Sequence, residues 1–311
     1  MQIEYFRAMN SDIVLVAEGE TSQVKSGLVA TQNFIEASEK RFTRFSDQSE
    51  LSRLNRSAGN WFQASPDLFE VVREAVFYFH KTNGLFDPSI LPNLRHAGYI
   101  HSMDEIRRIG SAPQPASHLA ASISTFASVE LDETTSSIRL SADMQIDLGG
   151  IAKGWIAERA ARLLSQYVST CAVNAGGDMF LIGYPHGKDC WEVGLEDPRD
   201  PKIDISLLLL QEGAIATSSV MKRAWKQGDL SRHHLIDPRT GEPADTSWLS
   251  VTVRAPHAVA AETFAKAFLI ADEDETQMLG EQNPELTVLA VDKVGNLASL
   301  VKPRESLHVS H

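Results

Sequence analysis

The chain is predicted to adopt an α+β fold. Strand-length segments occur in hairpin-like pairs, and helical segments are scattered among them without strict strand–helix alternation, so a doubly wound parallel sheet is not expected. At 311 residues, 43% of them hydrophobic and 23% charged, the chain has ample material for a buried core. That core is expected either in one domain spanning 1–311 or in two intimately packed subdomains.

Residues 12–18 read as a strand opening a sheet, and 22–43 follow as an amphipathic helix with Val24, Leu28, Ile35 and Phe42 on its apolar face. The polar stretch 46–55 is a loop with a short helical turn. Ser65-Pro66-Asp67 combines a capping hydroxyl, a proline at the first helical position and an acid in the first turn, and Asn83-Gly84 stops that helix. In Asp87-Pro88 the proline pushes Asp87 toward an extended conformation. A short helix is expected at 101–110 and an Ala/Ser-rich connection at 111–124. A hairpin follows, with strands 127–133 and 136–141.

Residues 146–164 are the organising stretch. An extended approach meets Gly149-Gly150, and Ile151, Trp155, Ile156, Ala160, Leu163 and Leu164 then recur at helical spacing. Such a junction lets main chain approach a ligand closely and aims unpaired N–H groups, with the positive end of the helix dipole, at an anion such as phosphate. Lys153 adds a charge. A tight turn with no ligand explains the same stretch, and it matches neither a dinucleotide-binding nor a P-loop fingerprint. Beyond it, strands are expected near 170–174, 179–183, 190–195, 204–210, 251–254, 286–292 and 297–301, with a helix at 257–271.

The net charge of −12 argues against non-specific nucleic-acid binding. No apolar run reaches membrane-spanning length. Cys171 and Cys190 form no metal-type pair, and the N-terminal segment lacks the apolar core of a secretory signal or a lipobox, so a cytoplasmic location is expected.

Several polar positions carry two readings each. Asp147 either binds a ligand hydroxyl or ring N–H, or satisfies nearby backbone N–H groups. Asn174 and Asp178 flank a second glycine pair that is a ligand-facing turn or a plain β-turn. Thr217-Ser218-Ser219 offers hydroxyls to phosphate, or caps a helix at 219–226. His233-His234 precedes the turn sequence Asp237-Pro238-Arg239-Thr240-Gly241; a histidine there is a general base at the mouth of a site, or a structural or simply exposed ring. Glu262 on the 257–271 helix is a metal ligand or, as a lone carboxylate, an ordinary exposed helix glutamate.

Their order says more than any one of them. Met9, Ser49–Asn55, Gly84–Pro88, Asp147–Gly154, Val173–Asp178, Ala216–Ser218 and His234–Gly241 stand in a succession that closely resembles the ApbE family of FAD:protein FMN transferases. The resemblance spans nearly the whole chain. It implies T-fold-like duplicated units with mixed or antiparallel sheets and FAD bound between them. It implies a Mg²⁺-dependent reaction in which FAD is split at its pyrophosphate, FMN passes to a Thr or Ser hydroxyl of a target flavoprotein, and AMP leaves.

Carried over position by position, the resemblance puts Met9 and Phe45 in the flavin pocket, Phe45 standing where a tyrosine is often found. Leu85, Phe86, Asp87, Asp147, Lys153 and Ile236 match FAD contacts, and Thr217 and Ser218 match a further cofactor-binding segment. Gly150, through its carbonyl, and Glu262 match metal positions. His234 matches the histidine that takes the proton of the target hydroxyl.

The chain departs from the family's metal helix, which reads Ala-Asp-x-x-x-Thr or Asp-x-x-Asp-Thr. Here Glu262 replaces the first aspartate, Ala265 offers no oxygen, and Lys266 stands in place of threonine. Either Glu262 and the Gly150 carbonyl hold a well-hydrated Mg²⁺, or the Lys266 ammonium takes the metal's place, which the repulsion between a cation and a dication favours. Two alternatives to a transferase follow: a non-catalytic FAD-binding protein, or a pyrophosphatase yielding FMN and AMP.

Overall fold

The computed structural model describes residues 1–110 and 125–301 and the backbone of 309–310. The expected connection at 111–124 lies outside them. The chain divides into two compact units, one made of 1–38, 153–221 and 246–311, the other of 39–152 and 222–245.

The first unit is built on an eight-stranded sheet. Its strands run in the order Gln2–Ala8, Ser11–Glu18, Thr170–Ala175, Met179–Ile182, Gly213–Ser219, Trp248–Ala255, Thr287–Asp292 and Leu297–Val301. Among the described residues every strand pairing is antiparallel. The fold is therefore α+β with antiparallel sheets, as the hairpin-like pairing predicts. In Ser11–Glu18, Ile13, Leu15 and Ala17 are buried at every second position, which locks the register on one face.

The opening strand Gln2–Ala8 is not foreseen by apolar alternation, because it is an edge strand with mostly exposed residues. A two-residue turn joins it to Ser11–Glu18, with Met9 and Asn10 both left-handed at φ 55° and 53°. The glycine pair Gly176-Gly177 turns the chain beside it, and the Gly176 N–H donates to the Asp12 carbonyl at 3.1 Å. A side chain on Gly176 would strike Ser11 at 2.6 Å, so glycine is required there by space as well as by φ.

The helix Ala258–Ile270 packs on the strands Gly213–Ser219 and Trp248–Ala255. Every residue of it except Lys266 is buried, so it is a core helix. A further helix, Glu273–Gln282, opens with a capping box between Asp272 and Glu275. No helix forms at 219–226. Thr217-Ser218-Ser219 ends a strand, and Ala224–Gln227 is itself a strand; hydroxyl residues in a β-ladder bond across it instead of capping, as Thr217 does to Thr252 at 2.8 Å.

The second unit carries the helices Glu50–Arg56, Pro66–Lys81, Leu91–His96 and Met103–Ile109, a three-stranded sheet (Trp61–Gln63, Ser137–Arg139, Glu130–Asp132) and the hairpin Ala224–Gln227 with Leu230–His233. The helix start at Ser65-Pro66-Asp67 forms as its sequence dictates: the Ser65 hydroxyl accepts from the Leu68 N–H and Pro66 opens the helix. Ser102 and Glu105 make a capping box, and Gly110 ends that helix in the left-handed region. Leu94, Ala97, Tyr99, Met103, Ile106, Trp225 and Ile236 form one of this unit's apolar clusters.

Candidate active site

In the first unit the residues singled out at the glycine–helix junction meet those of the helix Ala258–Ile270. The helix Ala152–Leu164 begins just after Gly149-Gly150, as its apolar spacing predicts. The Lys153 ammonium pairs with Asp178 and lies 3.2 Å from Glu262 Oε1. The Lys266 ammonium is 3.1 Å from the same oxygen. The other oxygen, Oε2, accepts the Gly154 N–H at 2.7 Å. Glu262 is 1% exposed and Asp178 is also buried, while Lys153 and Lys266 each keep a small share of their side chains in solvent. Burial alone would push the Glu262 carboxyl up; Lys153, Lys266 and the Gly154 N–H outweigh it and hold it below its ordinary value.

This cluster exists because two helices approach closely. A Cβ on Gly154 would lie 2.5 Å from the Ala258 carbonyl oxygen, so glycine is what lets Glu262 reach the first turn of its neighbour. Asp178 arrives from the turn after Gly176-Gly177. There Asn174 caps Gly177 by a 2.8 Å bond, the plain turn reading, while Asp178 faces the lysine.

A divalent cation does not fit Glu262 as it is placed. Both carboxylate oxygens are engaged by positive or N–H groups, whereas Mg²⁺ demands several oxygens at near-ideal octahedral positions. A dication 4 Å from one ammonium would be repelled by about 8 kcal/mol at an effective dielectric constant of 20. Among the described residues no group of three His, Cys, Asp or Glu side chains is gathered to hold a metal. Gly150 lies in the other unit and offers a main-chain carbonyl.

In the second unit Asp147 is the centre. Its Oδ1 accepts the Gly149 N–H at 2.7 Å, the common use of such an aspartate. Its Oδ2 lies 3.2 Å from Arg44 Nε, and the Arg44 side chain is only 5% exposed. Its own N–H donates to the Pro88 carbonyl, which ties it to the Asp87-Pro88 loop. Asp87 is extended (φ −132°, ψ 109°), as the following proline requires, and accepts from the N–H and hydroxyl of Ser89. Burial raises the Asp87 carboxyl above its ordinary range, against those hydrogen bonds.

Arg44 also donates to the Tyr99 carbonyl at 2.7 Å and lies over two rings, 4.2 Å from the centroid of Phe45 and 4.5 Å from that of Tyr99. Tyr99 stacks on Trp225 at 5.1 Å, and Ile236 is buried in the same cluster. Phe45 and Ile236, expected together at a flavin, are thus linked through an aromatic stack. Sequence reasoning passes over Arg44, Tyr99 and Trp225. Arg44 is an ordinary basic residue just past a helix end, and nothing local marks the rings as partners.

Leu85 and Phe86 are buried, so main chain is most of what they present. Met9 sits in the first unit's strained turn, and Ser218 is buried in its strand. In the loop 237–241, Asp237 holds Arg239 in a fork (2.9 and 2.8 Å), and its carbonyl accepts from Thr240 and Gly241. The two histidines differ. His233 Nε2 lies 3.1 Å from the Ala244 carbonyl, and burial lowers its pKa, which marks a neutral structural ring. His234 follows the strand and is anchored by its own N–H to the Arg223 carbonyl at 3.2 Å.

The profile of the ApbE family matches residues 9–290. An FAD:protein FMN transferase of Treponema pallidum is 26% identical over 290 residues, covering 87% of this chain and 78% of that protein. One from Vibrio cholerae is 26% identical over 289 residues, covering 89% and 82%. Among solved structures, the ApbE protein of Thermotoga maritima superposes with a TM-score of 0.80 at 23% identity, covering 96% of each chain. The flavin transferase ApbE of Vibrio cholerae gives 0.78 at 20% identity, with the same coverage.

Proposed function

The chain belongs to the ApbE family, and from that premise we propose that it is an FAD:protein FMN transferase acting on a Thr or Ser hydroxyl of a target flavoprotein. The observation that carries the reading is the family match across 9–290, which takes in the Asp147 junction and the His234 loop together. Named transferases aligned over most of their length support it.

In this reaction the acceptor hydroxyl oxygen attacks the FMN-side phosphorus of the FAD pyrophosphate. The P–O bond to the AMP half breaks, AMP leaves with that bond's electron pair, and the hydroxyl proton passes to a base. His234 is the base. His233, its neighbour, is committed to the Ala244 carbonyl. Phosphoryl transfer is driven mostly by positioning and by charge at the phosphates. Lys153, in the first turn of the helix Ala152–Leu164, supplies part of that charge beside the helix N-terminus. Within the second unit, Asp147, fixed by Arg44 and the Gly149 N–H, and Asp87, fixed by Ser89, are the polar contacts to FAD; Phe45 offers its ring, and the buried Leu85, Phe86 and Ile236 offer mostly main chain. Glu262, engaged by Lys153, Lys266 and the Gly154 N–H, does not fit a divalent cation.

No helix among the described residues is long and apolar enough to cross a membrane. The two thiols, Cys171 and Cys190, are free, which supports a reducing compartment such as the cytoplasm.

The test is incubation of the purified chain with FAD and a flavin-acceptor domain. Covalent, fluorescent flavin on the acceptor with one AMP per flavin is expected. Free FMN and AMP with an unlabelled acceptor would instead mean hydrolysis. Intact, tightly bound FAD would mean a binding protein and overturn the reading.

A further inference from the structure

We propose that in this chain the Lys266 ammonium, together with that of Lys153, does the work of a divalent cation, so that flavin transfer runs without added metal. The proposal rests on the transfer reading above.

Three features carry it. The first is the hub at Glu262, where two ammonium groups and a main-chain N–H converge on one carboxylate. Two carboxylates, Asp178 and Glu262, face the two ammonium groups. A dication there would be repelled by both ammonium groups at contact distance. The second is position. Lys266 is the one residue of Ala258–Ile270 that is not buried, so the helix is closed except where it presents this charge. The third is the attachment. The Lys266 ammonium is anchored to the Glu262 carbonyl at 3.2 Å as well as to its carboxylate, one helical turn away. It is held as a fixed point charge, which needs no recruitment from solution.

Lys266 then acts by charge alone. It neutralises pyrophosphate oxygens while the acceptor oxygen bonds to phosphorus and the bond to AMP breaks. No proton or electron pair moves to it.

The experiment has two readouts on the whole chain, treated with EDTA and desalted. Transfer to the acceptor domain is measured in EDTA and in Mg²⁺, and Mn²⁺ binding is followed by the EPR signal of the free ion. Equal transfer rates and an undiminished free Mn²⁺ signal are expected. The double substitution Lys266→Thr with Ala265→Asp is expected to bind Mn²⁺ and to lose EDTA-resistant transfer by at least about tenfold, regained with Mg²⁺. Stoichiometric Mn²⁺ binding by the unaltered chain, or transfer abolished by EDTA and restored by Mg²⁺, overturns the proposal. Absence of transfer under every condition sinks the transfer reading, and the Mn²⁺ titration of the unaltered chain still decides whether the lysines exclude a dication.

Discussion

Lys266 Nζ stands 3.1 Å from Glu262 Oε1, one turn along the same helix, and Lys153 approaches that oxygen from a second helix at 3.2 Å. Glu262 is therefore a structural keystone as well as a neighbour of the proposed chemistry. Removing its charge while keeping its shape takes from two partly buried ammonium groups the carboxylate they share. Breaking one side of such an arrangement costs far more than the arrangement contributes over an apolar substitute. Glu262→Gln is expected to destabilise the protein by about 3 kcal/mol, read from urea unfolding. Unchanged stability would show that the lysines find other partners.

The same carboxyl dictates a pH dependence. Its folded-state pKa lies below the ordinary value of 4.5, set by Lys153 and Lys266 against burial. The unfolded chain thus takes up this proton first as pH falls. The stabilisation is fully present above 4.5 and is lost as pH drops through the folded value. The stability gap between the unaltered chain and Glu262→Gln should accordingly hold steady from neutral pH to about 4.5 and narrow below it. A gap that narrowed already at pH 6 would contradict this assignment.

Much of the fold is legible in the sequence where its signals are local. Helix starts with a capping side chain, such as Ser65 and Ser102, are local, so they read directly. Asp87 is extended because its neighbour is proline, again a local matter. The strand Gln2–Ala8 was opaque because an edge strand needs no apolar alternation. Thr217-Ser218-Ser219 reads equally as cap or strand, and only pairing with Trp248–Ala255 decides it. At the site, Lys153, Glu262 and Lys266 stand out in the sequence, but their convergence depends on how closely two helices can approach.

That approach hangs on Gly154. A methyl group there would lie 2.5 Å from the Ala258 carbonyl oxygen and 2.8 Å from its carbon, main-chain atoms with nowhere to swing. Alanine favours a helix interior over glycine by up to about 1 kcal/mol in isolation. Here overpacking should win, and Gly154→Ala should destabilise by roughly 2 kcal/mol. A stabilised variant would mean that the helix Ala258–Ile270 shifts freely.

Arg44 organises the other unit's candidate contacts, since one guanidinium pairs with Asp147 and covers Phe45 and Tyr99. Lysine keeps the charge but loses the planar fork and the stacking. Arg44→Lys is expected to weaken FAD binding about tenfold or more, because Asp147 and Phe45 lose their fixed placement. Fluorescence quenching of FAD on titration measures this directly, and an unaltered affinity would remove Arg44 from the account.

The adjacent histidines separate chemistry from architecture. His233 is tied to the Ala244 carbonyl and kept neutral by burial, so His233→Ala should cost stability and leave the proton transfer intact. His234→Ala should do the reverse. Loss of a general base costs about 10²- to 10⁴-fold in rate, and FAD affinity should stay where it was, since the base acts on the acceptor hydroxyl. Transfer rates, FAD titration and thermal unfolding on both variants decide the assignment. A His234→Ala chain that labels the acceptor at the unaltered rate would show that another group receives the proton, and the His233 ring would then be the next to examine.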